Sequence, residues 1–192
     1  MGRKVGLTVD DVVDAGAEVA DREGLEGVTL AEVAKRLGVR SPSLYAHVEG
    51  LSGLRRQLAL RAAAGLQRRF VEAIRGKEGS QALRVLAHEY RHFALSHPGL
   101  YEASQRAVAR EEDPELYDAL ASVVVPVVEA LVQAGVPDGD RIHVTRGIRS
   151  ALHGFVTLER GGGFGMPEAV EESFQRLVEL LVSGVEHGGW SE

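Results

Sequence analysis

An all-α protein is predicted from three observations. Apolar residues recur at intervals of three and four along most of the chain, no stretch alternates cleanly with period two, and Gly and Pro stand at the ends of the periodic runs. The 192 residues suffice for one or two small domains with a sizeable core.

The first element is an amphipathic helix from about Thr8 to Arg22. The next run, from Thr29 to Leu54, carries the most information. Leu30, Val33, Ala34 and Leu37 mark one face of a short helix, with Thr29 as N-cap, Glu32 completing a capping box and Gly38 as the stop. Ser41 reads as a second N-cap with Pro42 at N1, so another helix begins within four residues of that stop. Two helices pinned this closely have the spacing of a helix-turn-helix. Val39, Leu44 and Val48 can then face inward, while Arg40, Ser41, Ser43, Tyr45 and His47 occupy the exposed start of the second helix.

The remainder reads as helix after helix. A long one runs from about Leu51 to Arg75, and a break at Gly76–Gly79 precedes another from Ser80 to Ser96. His97-Pro98-Gly99 stops it, and a shorter segment follows from Leu100 to Arg110. Asp113-Pro114 opens a helix expected to reach Ala134. Its run Val123–Val128 is β-branched enough to suggest a buried strand, but Pro126 would cost a central strand a ladder bond, and the flanks are helix-forming and in phase. After a loop at Gly135–Gly139 come helices from about Asp140 to Glu159 and from Pro167 to Glu186, separated by the glycine-rich turn at 161–165. The last two present apolar faces, Ile148, Ala151, Leu152 and Phe155 on one, Phe174, Leu177, Val178, Leu181 and Val185 on the other. Gly154 in mid-helix is best explained by close approach of another backbone, with Ala151 widening the contact.

The order of these elements, the Thr29-to-Ala34 spacing, the Gly38-Val39 turn and the Leu44-Tyr45-x-His47 run resemble the N-terminal domain of tetracycline-repressor-type (TetR family) regulators. The stretch Arg149–Phe155, with His153-Gly154 and the following glycine-rich turn, resembles the tryptophan/histidine-glycine (WHG) variety of C-terminal domain, although no tryptophan precedes the His-Gly pair and the single Trp is Trp190.

The resemblance implies an N-terminal three-helix helix-turn-helix DNA-binding domain, residues 1–53, and a larger helical effector-binding and dimerisation domain, residues 54–192. It implies a homodimeric transcriptional repressor, paired through its last two helices, that binds an inverted repeat in double-stranded DNA and is released by a small-molecule effector. Arg40 would read a base edge, Ser43 a base or a phosphate, and Thr29, Ser41, Tyr45 and His47 would position phosphates. Arg3 and Lys4 would form a groove-following arm. Tyr90, Phe93, His97, Tyr101, Gln105, Tyr117 and Phe155 would line the effector cavity. Family members often carry a lysine four residues after the histidine, where this chain has Leu51, which shifts the load to the helix N-terminus, Arg55 or the arm.

Net charge is −6, an objection to binding a polyanion that its distribution weakens. Residues 1–110 carry 17 Lys and Arg against 13 Asp and Glu, net +4, and residues 111–192 carry 5 against 15, net −10. The absence of cysteine removes disulfides and thiolate metal sites. The opening MGRKVGLTVDD has no apolar signal core, and no apolar run approaches the roughly 18 residues that cross a bilayer, so a cytoplasmic protein without membrane contact is expected.

A rival reading comes from His88-Glu89-Tyr90-Arg91-His92, which matches the HExxH pattern of zinc hydrolases, with both histidines on one helix face and Glu89 as general base. No third ligand sits in an extended downstream motif and no strand is available to align a substrate. No cofactor, metal or enzymatic activity is therefore expected.

Overall fold

The computed structural model describes residues 6–188, and among these the regular structure is eight α-helices and two 3₁₀ segments with no strand. The helices are α1 Val9–Glu23, α2 Leu30–Leu37, α3 Gly50–Ala73, α4 Gly79–Ser96, α5 Pro98–Ala103, α6 Pro114–Gln133, α7 Asp138–Arg160 and α8 Val170–His187; the 3₁₀ segments are Leu25–Gly27 and Ser41–Ala46. Arg3, Lys4 and Trp190 lie outside the described residues. The chain packs as two units. One comprises residues up to Ala64 with His97–Leu120, the other Gly65–Ser96 with the residues from Ala121 onward, so α3 and α6 contribute to both.

In the first unit, α1 is started by a complete capping box: Asp11 N–H donates to Thr8 Oγ1 at 3.1 Å, and Thr8 N–H donates back to Asp11 Oδ2 at 2.8 Å. At α2 only half of the expected box forms. Thr29 Oγ1 accepts from Glu32 N–H at 3.2 Å, but the Glu32 carboxylate is taken by Lys35 Nζ, also at 3.2 Å. Val12, Val19, Val28, Val33, Leu44, Leu54 and Leu58 are fully buried and make the core.

α5 lies against α1, where Asp21 Oδ1 accepts the Gly99 and Leu100 amides at 2.8 and 3.4 Å. Leu25 N–H, at the 3₁₀ segment after α1, donates to Glu102 Oε2 at 3.3 Å. A Cβ on Gly99 would stand 2.2 Å from the Ala20 carbonyl carbon, so only glycine fits there. The expected helix from Leu100 to Arg110 is thus shorter and begins earlier. It ends where Ser104 Oγ and Gln105 Nε2 both donate to the Tyr101 carbonyl, at 2.7 and 3.1 Å, a local alternative to further ladder bonds.

In the second unit α4 buries Leu83, Leu86, Tyr90 and Phe93, α7 buries Leu152 and Val156, and α8 buries Phe174, Val178, Val182 and Val185. Val156 and Val182 were not among the expected core residues, while Ile148, Ala151, Phe155, Leu177 and Leu181 are only half-buried. The valine run with Pro126 is helical, inside α6. α8 begins at Val170, not Pro167.

Arg91 ties three helices of this unit together. From α4 it makes two bonds to Glu159 of α7, at 2.8 and 2.6 Å, reaches Glu171 of α8 at 2.5 Å, and lies 4.6 Å from the centre of the Phe174 ring. The expected close approach at Gly154 is not supplied among the described residues: a Cβ added there meets none of their atoms within 4 Å.

Candidate nucleic-acid interface

The segment expected to read DNA is framed by two glycines in the left-handed conformation, Gly38 with φ 68° and Gly50 with φ 68°. At the first, Val39 N–H donates to Ala34 O and Gly38 N–H to Lys35 O, at 3.0 and 3.2 Å, the pattern of a Schellman motif. Between the glycines the chain forms a 3₁₀ helix, not the expected α-helix. Ser41 is its first residue, so Arg40 occupies the cap position and no side chain caps it. Pro42 removes one donor, and a segment this short closes i to i+3 bonds instead, with Ser43 N–H on Arg40 O and His47 N–H on Leu44 O, both at 2.9 Å.

Leu44 is fully buried and Val48 nearly so, which fixes the segment on α2. That anchoring leaves Arg40, Ser43 and Tyr45 exposed, with Tyr45 at 65% of its full accessibility. Ser41 and His47 are half-buried, and Thr29 is exposed at the start of α2. Pro42 and Ala46 are also exposed on this segment; side-chain chemistry alone gave no signal for them.

Charge around the segment is largely spoken for. Lys35 pairs with Glu32 and Arg36 with Glu18, while Arg55 donates to Leu25 O at 3.3 Å and pairs with Glu26 at 3.3 Å. Arg55 Nε is buried without a hydrogen-bond partner among the described residues, while the side chain as a whole is 32% exposed. Arg40 makes no ion pair among the described residues, which leaves its fork free. The Asp11 carboxyl is held below its usual range by the Thr8 hydroxyl and then the Thr8 amide, with a smaller pull from nearby His47.

The seven residues expected around an effector are divided between the packing units. His97, Tyr101, Gln105 and Tyr117 belong to the first, and Tyr90, Phe93 and Phe155 to the second. Tyr90, Phe93 and Tyr101 are core residues, whereas Tyr117 is exposed beneath the Arg110 guanidinium, 4.7 Å from its ring centre. Phe155 stands in an aromatic cluster with Phe174 at 5.2 Å and Phe164 at 4.8 Å, the latter contributed by the glycine-rich turn.

The HExxH residues do not make a metal site. His88 and His92 are exposed, His88 rests edge-on against Phe174 at 5.3 Å, and Glu89 lies 3.6 Å from Arg69. No group of three His, Cys, Asp or Glu among the described residues is placed to hold a metal ion.

Residues 12–47 match the family model described as bacterial regulatory proteins, tetR family, and residues 83–181 match that of the tetracyclin repressor-like C-terminal domain. The chain belongs to the TetR family. An uncharacterized HTH-type transcriptional regulator of Bacillus subtilis, YobS, is 37% identical over 186 residues, which are 96% of each chain. Among solved structures, a Rhodococcus protein of unknown function superposes with a TM-score of 0.80 at 19% identity, over 96% of this chain and 98% of that one. A TetR variant from Acinetobacter baumannii, solved in complex with minocycline, gives 0.71 at 19% identity, over 97% and 100%. At such identities the structural likeness speaks for the fold, and the sequence relatives speak for the family.

This TetR family member is accordingly a DNA-binding transcriptional regulator and not an enzyme, which overturns the zinc-hydrolase alternative. No helix among its described residues is long and apolar enough to cross a membrane.

Proposed function

We propose that this regulator is a homodimeric repressor, that residues 1–53 bind an inverted-repeat operator, and that residues 54–192 hold the dimer interface and a site for a small effector. The observation that carries the reading is Arg40: an exposed guanidinium without an ion pair among the described residues, at the head of a segment locked by Leu44 and Val48. Its fork suits the N7 and O6 acceptors of a guanine, with Ser43 beside it for a base or phosphate. Thr29, Ser41, Tyr45 and His47 take positioning roles on the backbone.

Dimerisation is supported by what α7 and α8 leave uncovered. Leu158 and Leu180 are 51% and 70% exposed, and Gly154 has open space above it. A two-fold pair presents two reading segments to successive major-groove faces, which one copy alone cannot do. A relative's structure holds minocycline; here the effector is proposed to enter among Tyr90, Phe93 and Phe155. It acts only through unequal affinity for the DNA-competent and DNA-incompetent forms.

The test is selection of bound duplexes from a random pool, followed by titration of the best sequence against wild type and Arg40→Ala. An inverted repeat is expected, with the variant weaker by about 1–3 kcal/mol and relaxed at one base position. No enriched sequence at low salt from folded protein would refute the reading.

A further inference from the structure

A cleft of about 380 Å³ opens in the first packing unit among α1, α3 and the start of α6. That volume falls within the roughly 300–1,000 Å³ typical of small-molecule sites. Its apolar surface comes from Val13, Leu60, Ala64 and Ala119, and its polar rim from Asp10, Gln57, Arg61 and Glu115. None of these residues belongs to the DNA-reading segment or to the expected effector lining.

The charges at the rim do not balance. Arg61 pairs with both Asp10 and Asp14, and Arg56 pairs with both Asp113 and Glu115. Among the described residues four carboxylates therefore share two guanidiniums, an excess of two negative charges. Asp10 and Glu115 are 85% and 71% exposed, so each keeps oxygen lone pairs turned to solvent. Gln57 is half-buried in the cleft, and its amide makes no hydrogen bond among the described residues.

We propose that this cleft is a second small-molecule site, one that takes an organic cation with an apolar body. The body lies on Val13, Leu60, Ala64 and Ala119, the ammonium meets the Asp10 and Glu115 carboxylates, and the Gln57 amide serves a polar substituent. An anionic ligand is repelled, because the two arginines are already engaged by carboxylates. α1 and α3 flank the DNA-reading segment in sequence, so an occupant holding them together alters operator affinity. That consequence rests on the repressor reading; the binding itself does not.

The full chain, without DNA, is titrated with phenethylamine, phenethyl alcohol and hydrocinnamate while the Ala64 and Ala119 methyls and the Gln57 side-chain amide are followed by NMR. The amine is expected to give saturable shifts at these groups, with the alcohol about tenfold weaker and the carboxylate weaker still. Ala64→Phe fills the cleft and abolishes the response, while Asp10→Asn with Glu115→Gln, at exposed positions, brings the amine down to the affinity of the alcohol. Absence of saturable shifts, equal affinity for amine and alcohol, or an undiminished response in Ala64→Phe would each overturn the proposal. Amine binding in the cleft of a protein that selects no operator would leave the site standing and remove only the repressor reading.

Discussion

Gly99→Ala is a single-methyl change with a large expected effect. The new Cβ would lie 2.2 Å from Ala20 C, 2.3 Å from Ala20 Cβ and 2.5 Å from Ala20 O. Ordinary contact begins near 3.4 Å, so the shortfall is about 1.2 Å, and the obstacle is backbone that no rotamer change can move. α5 must therefore back away from α1. Overpacking of this kind costs about 1–3 kcal/mol, and stretching the 2.8 Å bond from Gly99 N–H to the Asp21 carboxylate adds about 1 kcal/mol, discounted because Asp21 is partly exposed. A loss of roughly 2–4 kcal/mol follows, or a fall of about 5–15 °C in Tm for a chain of this size. Urea unfolding with thermal melts reads it. Gly65→Ala is the control, since its Cβ would meet Phe93 at a comfortable 3.6 Å inside α3, and it should gain about 0.5–1 kcal/mol. A Gly99→Ala protein within about 0.5 kcal/mol of wild type would refute the reasoning.

Gly154→Ala has free room within the chain, so any effect reports on a partner: sedimentation should show weakened self-association while the unfolding free energy of the dilute protein holds or rises by about 1 kcal/mol. Leu51→Lys places a cation at the start of α3, and should tighten operator binding and steepen the log–log salt slope by about one, measured by fluorescence anisotropy. Acid should destabilise the fold through carboxyls held below their usual values, among them Asp113 by Arg56, Glu171 by Arg91 and Glu179 by Arg84. A depressed folded pKa means the unfolded chain binds protons first, so the stabilisation is full above about pH 4.5 and drains away as pH falls through the folded values. Arg84→Met, which removes the partner of Glu179, should flatten the loss below that pH in denaturant titrations.

Much of the architecture was legible because its signals are local. Thr8, Thr29, Gly38 and the Asp113-Pro114 pair mark helix ends by their own backbone chemistry, and the observed boundaries fall within a residue or two of the marks. The reading segment was legible in position but not in type. Whether Ser41–Ala46 winds as α or 3₁₀ depends on how two left-handed glycines and the buried Leu44 confine it, which is a tertiary matter. The α5 clamp was hidden for a different reason. Asp21 and Gly99 are 78 residues apart, and His97-Pro98-Gly99 taken alone reads as a simple stop. Arg91 was read within a zinc pattern, whereas its role is set by Glu159 and Glu171, partners 68 and 80 positions away. The exposure of Arg40, Ser43 and Tyr45 followed from spacing, while the engagement of Arg55 by Leu25 and Glu26 did not.

The self-neutralised surface around the reading segment bears on how this regulator finds its site. Sliding along a chromosome depends on loose, sequence-blind attraction to phosphates. With Lys35 and Arg36 each paired to a glutamate, both cations must exchange that partner for a phosphate before they add to such attraction.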